Sequence, residues 1–192
     1  MAESQTREIL IREGHRALLA GGYEGAGIGP ILKAAGVPKG SFYHFFESKE
    51  AFACAVLEAH AERYRIARRR ILENQELAPL QRIQQYFEYL IDLVGKGEFG
   101  GCLFGNLTLS VSTRGTGFQQ TLRKAFEDWQ ADLHGVLVEA HQRGELAQDL
   151  NSDQAAAFLI DAYEGAVIRC KTEGSLEPLK RFARMVGRLL SS

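Results

Sequence analysis

Long apolar runs are missing from this 192-residue chain. None approaches the ~20 residues needed to span a bilayer, so no membrane segment is expected. The opening MAESQTREIL is charged and lacks the apolar stretch of a secretory signal, which points to the cytoplasm. Cysteine is scarce: Cys54, Cys102 and Cys170 are odd in number, far apart and in no CxxC pair. Neither a disulfide framework nor a cysteine zinc site is indicated. His15, His60, His134 and His141 show no metal spacing, and His60 between Glu58 and Glu62 reads as a polar helix face. Ser110, Ser112 and the scattered His and Asp residues form no local catalytic signature. No cofactor is called for, and an enzyme is not expected. A dominant positive charge is absent as well. Net charge is −1, so any nucleic-acid binding must rest on local charge.

What the chain does have is apolar residues at helical spacing, with few valines and threonines and no alternating runs. This predicts an all-α protein. A first helix is expected from about Thr6 to Ala20, ended by Gly21-Gly22, residues suited to a left-handed cap. A second starts near Pro30, where a missing N–H costs nothing, and stops at Gly36. A third runs from Pro38 to about Phe45, and Ser48 caps a fourth that continues to about Leu72. From Pro79, an apolar stripe of Leu80, Ile83, Phe87, Leu90, Ile91 and Val94 predicts a fifth helix, broken by the glycines of GKGEFGG. A shorter helix follows from about Cys102 to Val111. A long one then carries Phe118, Leu122, Phe126, Trp129, Leu133, Val136, Leu137 and Ala140 on one face, up to Gly144. Asn151 with Gln154 suggests a capping box for the next helix, to about Thr172, and a last helix runs from about Leu176 to Leu190.

Two helices separated by GVP alone form the arrangement that presents a helix to the DNA major groove. The stretch AAGVPKGSFYHFFESKEAF follows that turn, and Gly25 to Phe46 contains Lys33, Lys39 and His44 but no Asp or Glu. Helical spacing turns Phe42, Phe45 and Phe46 inward against Ile9, Leu18, Ile28 and Leu32. Tyr43 and His44 then face outward beside Lys39. A phenol O–H and an imidazole N–H can donate to phosphate oxygens, and lysines add charge. The expected division is a helix-turn-helix domain over 1–47 and a helical effector-binding and dimerisation domain over 48–192.

The stretch GYEGAGIGPILKAAGVPKGSFYHFFESKEAF, with the nine-helix plan, resembles the TetR family of bacterial transcriptional regulators. A weaker echo lies in RGELAQDLNSDQAAAFL, Arg143 to Leu159. The resemblance implies that Lys39, Gly40 and Ser41 meet base edges while Tyr43 and His44 touch phosphates. Lys49 matches a phosphate contact at a helix start. One departure is GAGIGP, Gly25 to Pro30, where family members carry Ser or Thr and then a polar or basic residue. Backbone N–H groups near Gly29 could still meet a phosphate, and weaker or more sequence-restricted binding is expected.

One short helix reads too few base pairs for specificity, so a homodimer on a near-palindromic double-stranded DNA operator is expected, its reading helices ~34–36 Å apart. The last two helices are the expected interface, through small residues Ala155, Ala156, Ala162, Gly165 and Ala166 and larger Phe158, Leu159, Tyr163, Phe182, Val186, Leu189 and Leu190. In the family the larger domain holds a small-molecule pocket. Tyr86, Phe87, Phe104, Phe126, Trp129 and Tyr163 are candidates to line it or to serve as core, and they suit an apolar effector. Cys102 sits at an expected helix start behind a glycine-rich loop, where N–H groups and the helix dipole favour the thiolate. GGCLFGN is similar to a TetR subgroup with an electrophile- or oxidant-responsive cysteine there. Packing or ligand lining are the alternatives. The basic run RYRIARRR, Arg63 to Arg70, reads as a solvated helix face, with a place near the DNA as the alternative. The expected function is a sequence-specific DNA-binding regulator, a repressor released by a small-molecule or electrophilic effector. Alternatives are a helical small-molecule carrier with a weakened DNA-reading head and a cysteine enzyme, which would need a base that no nearby histidine supplies.

Overall fold

In the computed structural model, residues 2–96, 101–108 and 116–190 are described. Among them the chain is helical, with no strand. The helices are α1 (Ala2–Gly25), α2 (Ile28–Ala35), α3 (Phe42–Phe45), α4 (Lys49–Leu72) and α5 (Pro79–Gly95). They continue with α6 (Leu103–Thr108), α7 (Thr116–Gln142), α8 (Ser152–Glu173) and α9 (Glu177–Leu190). By contact, the chain forms two compact units: Met1–Arg63 with Cys102–Ala125, and Tyr64–Gly101 with Phe126–Ser192. The expected head of residues 1–47 lies inside the first. No helix is long and apolar enough to cross a membrane among the described residues.

Local chemistry explains most boundaries. α1 breaks at Gly22, at φ 64° and ψ −170°, a conformation that glycine adopts without a Cβ penalty. α2 starts two residues earlier than Pro30 implied, because Gly27 takes the extended cap position and Pro30 tolerates the third helical place, where its absent N–H is still an orphan. It ends at Gly36 in the left-handed region, φ 67°. The expected third helix is instead a 3₁₀ turn, Lys39–Ser41, running into the four residues of α3. The Ser48 hydroxyl accepts from the Ala51 N–H at 3.0 Å and so opens α4. The Asn151 side chain accepts from the N–H groups of Asp153 and Gln154 at 3.0 and 2.9 Å, capping α8 as its sequence suggested. Ser110, Ser112 and the expected end of the sixth helix at Val111 lie outside the described residues.

The first unit is built on Leu10, Leu18, Ile31, Leu32, Phe42, Phe46 and Phe52, all buried. This corrects the expected core in three places. Ile9 and Ile28 are half-buried, the inward positions falling one residue on at Leu10 and three on at Ile31, and Phe45 is half-buried because the 3₁₀ turn rotates α3. In the second unit, α5 buries Ile83, Phe87, Leu90 and Val94, while Leu80 and Ile91 sit half-buried at the stripe's margins. Trp129, Leu133, Val136, Leu137 and Ala140 of α7 are buried as expected, whereas Phe126 is half-exposed to solvent at the edge of that face.

Candidate nucleic-acid interface

The reading head sets two adjacent side chains in opposite environments. Phe42 is 0% exposed and Tyr43 is 63% exposed. Phe42 holds α3 from behind through a tilted contact with Phe46 and an edge contact with Phe52, at centroid distances of 5.5 and 5.3 Å. Such aromatic pairs prefer offset or edge geometries and add rigidity beyond area burial. Tyr43 and His44 are exposed, the Tyr43 ring edge-on to Phe42 at 5.4 Å, with Lys39 and Gly40 exposed and Ser41 half-buried beside them. The outward group inferred from periodicity is therefore present as a group.

Its electrostatics are less uniform. His44 Nε2 lies 3.3 Å from Glu3 Oε1, so an acid in the first turn of α1 shares the face with the imidazole. Lys49 is half-buried, its Nζ 4.6 Å from the centroid of the Tyr23 ring. A cation over a ring face is held there by the ring quadrupole. Lys49 would have to leave or share that ring to reach a phosphate. α2 begins at Gly27 with no side-chain cap bond, and Gly29 is exposed with open space where a Cβ would stand. The departure at GAGIGP thus leaves only backbone donors at that helix start.

The effector candidates divide between the two units. Tyr86, Phe87, Trp129 and Tyr163 form one ring cluster, joined by Phe182. Phe126 adds a near-parallel ring to Trp129 at 6.5 Å. Phe104 and Cys102 belong to the first unit. Phe104 is buried, and its ring meets His60 at 4.9 Å, edge to face. Cys102 is half-buried immediately before α6, and its carbonyl accepts from the Asn106 N–H at 2.9 Å. Of the other two cysteines, Cys170 is buried and burial pushes the Cys54 thiol up, so neither is better placed to react. The Asn106 amide donates to the Leu19 carbonyl at 3.2 Å, just before the break at Gly22, which ties α6 to α1.

Three features escaped the sequence. His60 is buried rather than on a polar face: its Nδ1 lies 3.0 Å from His15 Nε2, the two rings stacking at 5.0 Å. Burial, with His15 and Arg63 adding to it, pulls its pKa down to about 3. The basic run is not uniformly solvated, because Arg68 is 4% exposed and ion-paired to Asp132 at 2.6 Å. Its position one turn from Tyr64 and Leu72 was the available signal. Arg82 is 1% exposed, and the i, i+4 register that it shares with Tyr86 was the sign that it points inward. Among the described residues no group of three or more His, Cys, Asp or Glu could hold a metal.

On α8 and α9 the expected interface residues split into two faces. Ala155, Ala156, Leu159 and Tyr163 are buried within the chain, whereas Phe158 is 53% exposed, beside Met185, a residue the sequence did not single out, at 44%. Between them runs an apolar groove floored by Ala162, Ala166 and Phe182 and edged by Arg169 and Arg181. The side chain of Leu189 is outside the described residues.

These observations agree with comparisons to known proteins. A sequence model described as "Bacterial regulatory proteins, tetR family" matches residues 10–56, and one described as "Tetracyclin repressor-like, C-terminal domain" matches residues 79–186. The chain is 35% identical over 186 residues to the HTH-type transcriptional repressor DhaR of Mycobacterium sp. (strain GP1), covering 97% of this chain and 92% of that protein. It is 31% identical over 195 residues to the repressor NemR of Escherichia coli K12, covering 99% and 96%. Among solved structures, the TetR regulatory protein from Rhodobacter sphaeroides superposes with a TM-score of 0.90 at 35% identity, over 95% of this chain and 97% of that one. The reduced form of E. coli NemR does so with a TM-score of 0.90 at 32% identity, over 97% of each. With a helix-turn-helix head and a helical C-terminal domain both matched, this chain belongs to the TetR family of DNA-binding transcriptional regulators.

Proposed function

We propose that this protein is a dimeric repressor that reads a near-palindromic operator through Lys39, Gly40 and Ser41 at base edges and Tyr43 and His44 at phosphates. Gly29 contributes a backbone N–H, and Lys49 adds charge when it leaves the Tyr23 ring. The observation that carries this reading is the opposed burial of Phe42 and Tyr43, which fixes α3 from one side and exposes a hydroxyl and an imidazole on the other, the imidazole exchanging Glu3 for a phosphate when DNA binds. The groove of α8 and α9, apolar at its centre and basic at its rim, is the proposed dimer surface, since an apolar patch with a polar rim suits a subunit contact. Replacing Tyr43 and His44 together by alanine removes two phosphate contacts per protomer. At about 0.5–0.7 kcal/mol net for each of four contacts, operator affinity falls roughly 30- to 100-fold. A fluorescence-anisotropy titration on the chain's own upstream DNA measures this. Unchanged affinity would remove α3 from the interface.

Effector binding in the larger domain lowers operator affinity because the effector favours the conformation that binds DNA less well. The aromatic cluster and Cys102 are the two candidate receivers. Cys102 is half-buried one turn before Asn106, so modifying it would disturb the turn that carries the Asn106–Leu19 hydrogen bond. Cys102→Ser is expected to bind operator like the wild type and to resist release by a quinone or an α,β-unsaturated aldehyde. Equal release of both proteins in a gel shift would leave Cys102 a packing residue.

A further inference from the structure

Trp129 is the chain's one tryptophan. It is 4% exposed, and its indole Nε1–H has no hydrogen-bond partner among the described residues. Folded proteins satisfy nearly all such donors, so an orphan of this kind calls for an explanation. Its surroundings suggest one. Tyr163 and Tyr86 stand edge to face with the indole at 5.7 and 6.4 Å, and Phe126 lies near-parallel to it at 6.5 Å. Phe87 and Phe182 complete the cluster around Tyr163 at 5.9 Å each. Ligand sites have this composition: an apolar, aromatic lining with very few placed polar groups. The two buried arginines of this unit, Arg68 and Arg82, are already paired with Asp132 and Glu139, so an anion buried among the rings would meet only cations that are already neutralised, at a high cost.

We propose that the Trp129 N–H anchors a ligand site whose occupant is a small, uncharged carbonyl compound with a largely apolar surface. The rings take its hydrocarbon part, and its carbonyl oxygen accepts the hydrogen bond that the indole now lacks. This rests on the effector-responsive reading above and adds the anchoring atom and the polarity of the ligand.

Because the chain has a single tryptophan, a ¹⁵N-labelled sample of the full protein gives one indole N–H resonance. Acetophenone, ethylbenzene and benzoate share a ring and differ in the acceptor and the charge. Acetophenone is expected to move that resonance downfield and to bind at least about tenfold more tightly than ethylbenzene, the return on one hydrogen bond to a formerly unpaired donor. Benzoate is expected to bind more weakly than acetophenone. In Trp129→Phe, calorimetry is expected to find acetophenone reduced to the affinity of ethylbenzene. The proposal is overturned if acetophenone and ethylbenzene bind wild type alike, if the indole resonance ignores acetophenone, or if neither binds. Should Trp129→Phe not fold, the wild-type pair decides alone. Acetophenone that binds at the indole without weakening operator binding would uphold the site and sink the release mechanism. Release that persists in folded Trp129→Phe would do the reverse.

Discussion

Replacing Arg82 with alanine is expected to lower the unfolding free energy by about 3 kcal/mol. The guanidinium is 1% exposed and serves three acceptors at once. Nε donates to the Leu77 carbonyl at 3.1 Å and Nη1 to the Leu72 carbonyl at 3.0 Å. Nη2 donates to Glu139 Oε1 at 2.7 Å. Leu72 ends α4, so one side chain satisfies a helix-terminal carbonyl, a connection and a carboxylate on α7. The bond from Arg82 holds Glu139 below the usual carboxylate range. Breaking a buried pair from one side costs about 3–5 kcal/mol. The low end applies, because Glu139 keeps Arg143 at 2.6 Å and is itself 28% exposed. Arg82→Met, which restores volume but no donor, should recover about 1 kcal/mol of this. Urea unfolding at neutral pH and matched protein concentration tests both. A loss under 1 kcal/mol for alanine would show that the guanidinium is no tie.

Acid is expected to destabilise the protein through His60 before its carboxylates titrate. The folded ring has a pKa of about 3 against an ordinary 6.5, so between those values the unfolded chain binds a proton that the folded chain refuses. Stability is unaffected above pH 6.5 and falls as pH drops through the window, by about 1.4 kcal/mol per pH unit. At pH 5 the loss from this group is about 2 kcal/mol. The cause is burial first, then the neighbouring His15 and Arg63, with Phe104 closing the site at 4.9 Å. Glu139, whose depressed pKa starts from 4.5, makes its own loss only below that, so pH 5 isolates the histidine. In His60→Gln, whose amide can still meet His15, the stability difference between pH 7.5 and pH 5 should shrink by about 2 kcal/mol. Identical pH dependence in the two proteins would mean that His60 is protonated in the folded state.

The two effects differ in how far sequence alone exposed them. Arg82 stands in register with Tyr86 and Leu90, so its inward direction was legible. Glu139, 57 positions away, was not, because nothing local chooses the partner that a buried charge meets. His60 was misread for the same reason. Its chain neighbours Glu58 and Glu62 are polar, while its real neighbours His15 and Phe104 lie on other helices. Phe104 similarly looked like one more ring of the effector cluster and instead closes over a histidine. On the reading head the reverse held. Tyr43 and His44 turn outward because Phe42 and Phe46, one turn apart, turn inward, and that spacing is visible in five letters.

The order of letters alone settled the all-α class, the caps at Ser48 and Asn151, the stops at Gly22 and Gly36, the helix-turn-helix and its outward phenol and imidazole. Each depends on atoms within about four residues, the reach of one helical hydrogen bond. Tertiary structure decided the rest: which arginine is buried and by which carboxylate it is neutralised, that His15 and His60 meet, that Asn106 grips α1, and that the indole of Trp129 is left without an acceptor. Those outcomes follow from how helices distant in the chain pack together. Packing is set by shape and by the cost of burying polar atoms, which no short window of sequence contains.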